Sequence, residues 1–359
     1  MTRLYRVLAR HREELRLLDG EGGVLTVRAA GQAAAPGDWV ELQEGAVRVV
    51  SPYRGSRAFP DPASETFRLA ERRLAFLRAR DRVVRALREF FFAAGFVEVE
   101  TPLVVPSPGL ELHLDAVRAE PGGFLITSPE YQMKRLLAAG MGPIFQICKC
   151  FRAGESGPHH NPEFTMIEWY RAPGAYEQIM DDCDRLLAAL APARRAEVRG
   201  PAERLTMREA FARFAGAPVP ADADAFWPLY LERVEPQLGR GRPTILYEWP
   251  AYLAALARAK PGDPSVVERF ELFAGGLELG NAFGELTDPV EQRARLEADL
   301  AARRRLGKPL YPIDERFLAA LEEGLPPSAG IALGLDRLVM LLVGATSIRE
   351  VLSFAADER

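Results

Sequence analysis

Residues 144–170, IFQICKCFRAGESGPHHNPEFTMIEWY, read as two apolar strands around a polar loop, and their alternation decides how the rest of the chain is understood. A period of two puts Gln146, Cys148, Cys150 and Arg152 on one face of the first strand, with Phe145, Ile147 and Phe151 on the other. On the returning strand, Phe164, Met166, Glu168 and Tyr170 share a face. A carboxylate and a phenol inside so apolar a strand are expensive unless they meet a cationic or polar ligand, or an internal arginine. Cys148 and Cys150 have no second thiol pair and no histidine at ligand spacing, so they read as buried strand cysteines and not as a metal site. In the loop, His159, His160 and Asn161 lie near Arg152, a set suited to an anionic ligand such as phosphate.

Upstream, Phe124–Gly140 reads as a strand entering a helix, with Ser128 as N-cap, Pro129 at the first helical position and Gly140 as the stop. Glu130 lies in the first turn, where the helix dipole favours a carboxylate, and Lys134 follows four residues on, the spacing of a surface pair. Before it, Ser64–Ala94 has the pattern of a long amphipathic helix with Phe76, Val83, Leu87, Phe90 and Ala94 in line. Downstream, Gly275-Gly276 reads as a hairpin turn that brings Glu271 and Glu278 close together on one face. Two such carboxylates repel unless a cation lies between them, and hard oxygen ligands suit Mg²⁺. Strict alternation sends Asn281, Phe283 and Glu285 to the opposite face, so a shared site requires a bulge near Gly280. Last, Ser328–Leu342 is a small-residue strand turning at Gly334 into an apolar helix, with Arg337 near an anion-binding N-terminus.

At about 150 residues per domain, a chain of 359 residues makes about two domains. A hydrophobic share of 48% and a charged share of 27% exclude a disordered or fibrous protein. No apolar run approaches a membrane span, the longest being around Leu338–Val343, so no membrane partner is expected. The N-terminus lacks the apolar core of a secretory signal, and three cysteines are too few for a disulfide framework; both point to the cytoplasm. A net charge of −4 argues against a protein that coats nucleic acid. Residues 1–53 read as short strands between Gly-rich turns, a small OB-like β module. Residues 54–65 read as a linker, 66–359 as one large domain, and 192–242 as a helical insertion within it.

Taken in order, these segments resemble the three signatures of class II aminoacyl-tRNA synthetases: VEVETP at Val97–Pro102, Phe151-Arg152 through Phe164–Tyr170, and GIALGLDRL at Gly330–Leu338. His160–Glu168 and ELGNAFGEL at Glu278–Leu286 are similar to the lysyl subgroup. The nearest pattern is that of its bacterial paralogues that attach a lysine-type group to elongation factor P. The resemblance implies an α+β fold, an antiparallel sheet of six to seven strands flanked by helices, and a homodimer. It also implies an AMP-forming, ATP-dependent amino acid ligase using Mg²⁺, with elongation factor P rather than tRNA as acceptor.

By that resemblance Arg152 holds the α-phosphate and the substrate carboxylate, Phe164 stacks on adenine with Arg337 on its other face, and His160 and Asn161 belong to the ATP site. Glu271 and Glu278 hold the metal. Glu130 meets the amino group nearest the carboxylate, Tyr170 and Glu285 the distal ammonium, and Glu168, Asn281 and Phe283 line the pocket. Ala332 stands where lysyl-tRNA synthetases usually have Gly; its methyl group would favour β-lysine over α-lysine. The pattern departs at Gly154, where the family often has Glu to read adenine: either Glu155 takes that part or the backbone alone does. Three other functions fit less well. A tRNA-charging lysyl enzyme carries a fuller anticodon-binding domain, a silent binding module has no reason to keep these charges, and another amino-acid ligase of this fold would need a different pocket.

Overall fold

The computed structural model describes residues 3–43, 46–61, 64–69, 73–190 and 196–358. They form two compact units, 1–82 with 345–359, and 83–344. The expectations for linker residues 62–63, helix residues 70–72 and insertion residues 192–195 fall outside the described residues.

The first unit carries a five-stranded antiparallel sheet: β1 (Leu4–His11), β2 (Glu14–Asp19), β3 (Val24–Arg28), β4 (Trp39–Gln43) and β5 (Ala46–Ser51), in the order β3-β2-β1-β4-β5. The short strands expected between the Gly-rich turns of residues 1–53 form. Val7, Leu15, Leu17 and Val40 close one apolar face, each fully buried. Its edges β3 and β5 are not paired with each other among the described residues, so the ladder is open.

The second unit is built on a nine-stranded sheet. Its strands are β6 (Val97–Glu98), β9 (Ile144–Phe151), β10 (Glu163–Arg171), β11 (Glu203–Thr206), β12 (Thr244–Pro250), β13 (Ala259–Lys260), β14 (Asp263–Ala274), β15 (Leu277–Gly284) and β16 (Ala329–Gly334). The order is β11-β12-β14-β15-β16-β10-β9-β6, with β13 beside β14, and β7 (Val104–Val105) pairs with β8 (Phe124–Leu125) in a separate ribbon. The six central strands are antiparallel, as expected; β6 and β11 add parallel edges. The insertion read as helical, 192–242, carries helical turns among its described residues and one short strand, β11. Thr206 ends it by capping the next turn through a reciprocal Thr206–Glu209 box, after which short helical turns follow.

The helices used below are α1 (Glu65–Arg68), α2 (Leu74–Ala93) and α3 (Glu130–Ala138). Phe91, not the half-buried Phe90, takes the inner position on α2, because four residues from Leu87 keeps a helical face in line better than three. Its ring packs 4.8 Å from Phe145 and 5.1 Å from Trp169. Across the sheet, α3 is held against the helix Glu315–Gly324 by Tyr131 stacked on Phe317 at 4.5 Å.

Candidate active site

Antiparallel register turns the alternation of single strands into rows that cross the sheet. One row runs Gln146, Glu168, Ala332, Asn281, Glu271 over five strands. The next, two residues along, runs Tyr170, Gly330, Phe283, Arg269. These rows bring together residues as far apart in the chain as Gln146 and Ala332, 186 positions, and they form the floor of the site.

Strict alternation along the hairpin fails at one point. Gly275-Gly276 makes the expected tight turn, with Ala274 opposite Leu277 and Phe273 opposite Glu278, but Leu272 then faces Gly280. Leu279 is therefore an extra, bulged residue, and it swings Glu278 onto the same side as Asn281 and Phe283. The bulge required for one shared site is present, beside Gly280. That glycine fits because a Cβ there would stand 2.9 Å from the Ala332 carbonyl oxygen.

At one end of the floor, buried carboxylates gather. Lys134 Nζ donates to Glu130 Oε1 at 2.6 Å and pairs with Glu285 Oε2 at 2.5 Å, its side chain wholly shielded from water. This corrects the reading of Glu130 and Lys134 as a surface pair: Glu285, far along the chain, completes a buried triad. Glu168 Oε1 accepts from Ser128 Oγ at 2.5 Å and Oε2 from the Tyr170 hydroxyl at 3.0 Å. Ser128 also accepts from the Glu130 N–H at 3.1 Å, but α3 begins at Glu130 with Pro129 in the cap position, since the serine hydroxyl is drawn toward Glu168. Burial first, then Glu130, raises the Glu168 carboxyl well above its ordinary range. Burial likewise raises Glu285, partly offset by Lys134. The Tyr170 ring lies flat on the strand β16, where a Cβ at Gly330 would stand 2.2 Å from it.

At the other end, guanidinium groups gather. Arg152 lies over the Phe164 ring at 5.0 Å, with Glu155 at 3.8 Å. Its buried Nε has no hydrogen-bond partner. Gly154 holds a left-handed φ of 78°, and the turn it makes brings the Glu155 carboxylate toward Arg152. Arg337 donates to the carbonyl oxygens of Glu278 at 2.9 Å and His159 at 3.2 Å, and lies 2.6 Å from His160 Nε2. Phe164 thus has Arg152 on it, while Arg337 ties the histidine loop to Glu278. Asn161 is buried and donates to the Glu163 carbonyl oxygen at 2.5 Å.

Between the ends, Glu271 is pushed up to about 8 by burial and by Glu278, against the pull of Arg269, which binds it at 2.6 Å. Among the described residues no three metal-ligating side chains cluster, so a cation here needs further oxygens from a ligand.

Sequence reading missed Lys134 as a site residue, and it missed Glu111 and Arg269. Arg269 also donates to Asn281 Oδ1 at 3.2 Å and lies 4.1 Å from the Trp249 ring centre. Its place two residues before Glu271 on one strand was the signal that could have found it. No helix among the described residues is long and apolar enough to cross a membrane.

Comparison with known proteins places this geometry. Curated relatives named elongation factor P–(R)-β-lysine ligase, from Klebsiella pneumoniae and Haemophilus influenzae, are each 42% identical, matching 78% of this chain and 95% of their own length. A relative of the same name from Proteus mirabilis is 40% identical with the same coverage. The family of class II tRNA synthetases (D, K and N) matches residues 67–358, which takes in every strand of the large sheet and every residue of the site. The chain belongs to that family, and it is a ligase.

Proposed function

We propose that residues 66–359 form the catalytic domain of a cytoplasmic homodimer that uses ATP and Mg²⁺ to activate (R)-β-lysine as its adenylate. The acyl group then passes to a lysine side chain of elongation factor P. One observation carries the substrate class: Glu130 and Glu285 share the internal cation Lys134, and the buried Glu168 is held by the Ser128 and Tyr170 hydroxyls, with no ion pair among the described residues. Such a set favours a ligand bearing more than one ammonium, because buried carboxylates left without cations are costly. The relatives' printed names support the choice of (R)-β-lysine and elongation factor P.

In this reading Tyr170 and Glu285 receive the distal ammonium and Glu130 the nearer one, with Glu168, Asn281 and Phe283 lining the pocket. Arg152 orients the substrate carboxylate toward the α-phosphorus and balances charge as the carboxylate oxygen attacks and pyrophosphate leaves. Phe164 supports adenine, and Arg337, His160 and Asn161 stand where the phosphate chain would lie. Glu155, turned toward Arg152, would read the adenine amino group in place of Gly154. Glu271 and Glu278 fit Mg²⁺, as a carboxylate pair whose repulsion a divalent ion would relieve with phosphate oxygens as its other ligands. The ion would neutralise charge on the departing pyrophosphate. Ala332 lies in register between Glu168 and Asn281, so its methyl group narrows the floor where the amino groups must fit.

Pyrophosphate–ATP exchange with a panel of amino acids and no tRNA tests the activation step. Exchange dependent on β-lysine is expected. Radiolabelled substrate offered to elongation factor P and to lysine tRNA tests the acceptor; label on the tRNA alone would make this a tRNA-charging enzyme.

A further inference from the structure

Beside the triad of Lys134, the N-terminus of α3 opens into a small polar recess, and its far wall is the loop 107–111. Ser107, Gly109 and Glu111 line it from the loop, and Ser128 and Glu130 from the helix side. The loop is fixed. Thr127 Oγ1 donates to the Pro108 carbonyl oxygen at 2.7 Å. Behind it, the fully buried Arg303 donates to the Glu111 carbonyl oxygen at 2.9 Å and to that of Leu114 at 2.8 Å, and pairs with Asp115 at 2.6 Å. The Asp115 carbonyl oxygen in turn accepts from the Ala153 N–H at 2.7 Å, next to Arg152.

Gly109 makes room for the acid. Its φ of 106° is in the region glycine favours, and a Cβ there would stand 2.5 Å from Glu111 Oε2. No ion pair reaches that carboxylate among the described residues, whereas Glu130 and Glu285 share Lys134. Burial, then Glu130, pushes the Glu111 carboxyl up to about 7, against a hydrogen bond from its own backbone N–H and the weaker pull of Arg152. A second group on the same wall is Ser107, 3% exposed, whose Oγ has no hydrogen-bond partner among the described residues. A primary ammonium has three N–H donors, and Glu111, Glu130 and Ser107 present three acceptors around one recess.

We propose that Glu111 binds the substrate amino group nearest the carboxylate, together with Glu130 and Ser107, and so selects for substrates that carry this second ammonium. The inference rests on the diamino-acid reading above and names the residue that enforces it.

The test measures calorimetric Kd values for β-lysine, lysine and 6-aminohexanoate, which keeps the distal ammonium and carboxylate but lacks the second amino group. Wild type, Glu111→Gln and Ser107→Ala are compared. Glu111→Gln is expected to weaken binding of the better diamino acid by at least ~10-fold, the scale of one charge-assisted contact, and that of 6-aminohexanoate by less than ~2-fold. Ser107→Ala is expected to move the same ratio in the same direction by less. Equal weakening of all three ligands would make Glu111 a structural support and overturn the proposal. So would an unchanged Kd for the diamino acids. Because binding is read directly, absence of pyrophosphate exchange in wild type would count against the adenylation reading and leave the Glu111 result standing on its own.

Discussion

Lys134 is shut away from water between Glu130 and Glu285, whereas Arg152 and Arg337 keep 24% and 22% of their side chains exposed. The partners differ as much as the exposure. Lys134 meets two carboxylates at 2.6 and 2.5 Å. Arg337 rests on carbonyl oxygens and a histidine ring with the Glu278 carboxylate 3.9 Å away, and Arg152 on an aromatic face with a carboxylate at 3.8 Å. The buried end is therefore part of what folding fixes, since neither carboxylate can lose its cation without standing uncompensated in a low dielectric. The exposed end holds its guanidinium groups on partners that a phosphate can replace at small cost, a preorganised arrangement for developing negative charge. In the proposed function, one end recognises and the other reacts.

The largest expected effect comes from breaking the buried end. Lys134→Met keeps the length of the side chain and removes its charge, leaving Glu130 and Glu285 without their cation. It should destabilise the protein by ~3–5 kcal/mol, the range for removing one member of a buried ion set. Urea unfolding measures this. A loss under ~1 kcal/mol, the range of an exposed pair, would mean that the carboxylates hold themselves by protonation and that Lys134 is dispensable. Arg152→Ala at the other end should behave in the opposite way, with stability changed little and pyrophosphate exchange reduced by at least ~100-fold. If Arg152→Ala instead unfolds the protein as readily as Lys134→Met, the two ends are not different in kind.

How much of this was legible beforehand depended on whether the signal was local. The central hairpin, the Gly275-Gly276 turn and the five N-terminal strands follow from alternation and turn chemistry within about ten residues, and each formed as read. The bulge was expected near Gly280 only as the condition for one shared site, and it falls at the neighbouring Leu279; alternation alone could not show it, because its cause is the pairing of β15 with β16 and β14 at once. Lys134 was misplaced for the same reason. Its spacing from Glu130 is local, but the second carboxylate arrives 151 positions later, as Glu285. Glu111 gave no local sign, because what marks it is a recess formed by the start of α3 and the loop that Arg303 braces from behind.

A smaller effect is expected at the floor between the two ends. Ala332 is half-buried, packed beside Met166 and Phe164, and lies in register with Glu168. Ala332→Gly removes one methyl group, a change worth ~1–3 kcal/mol in discriminating close analogues. The expected outcome is a shift of the kcat/KM ratio toward α-lysine by ~10-fold, at the lower part of that range. Thermal unfolding run alongside separates this from a packing loss, which would lower the two rates together and leave their ratio alone.

The finest comparison is between the carboxyls that own a cation and the one that does not. Glu111 is pushed up to about 7 by burial and by Glu130, with Asp299 adding to the rise and Arg152 opposing it. A carboxyl whose folded pKa lies above its unfolded value holds its proton more tightly when folded. Its penalty on folding therefore grows as pH rises from the unfolded value, ~4.3 for Glu, toward 7, and stays in full above that. An ammonium ligand favours the ionised form and lowers this pKa, so binding near pH 6 must expel protons, while binding at pH 8.5 finds Glu111 already ionised. Calorimetry of β-lysine binding at pH 6, in buffers of different ionisation enthalpy, should show release of ~0.5–1 proton attributable to Glu111, falling toward zero by pH 8.5. Glu285, also raised by burial but paired with Lys134, contributes to the total in wild type, so the decisive quantity is the difference made by Glu111→Gln. Release undiminished in that variant would assign the proton to the triad and leave Glu111 a bystander of the recess.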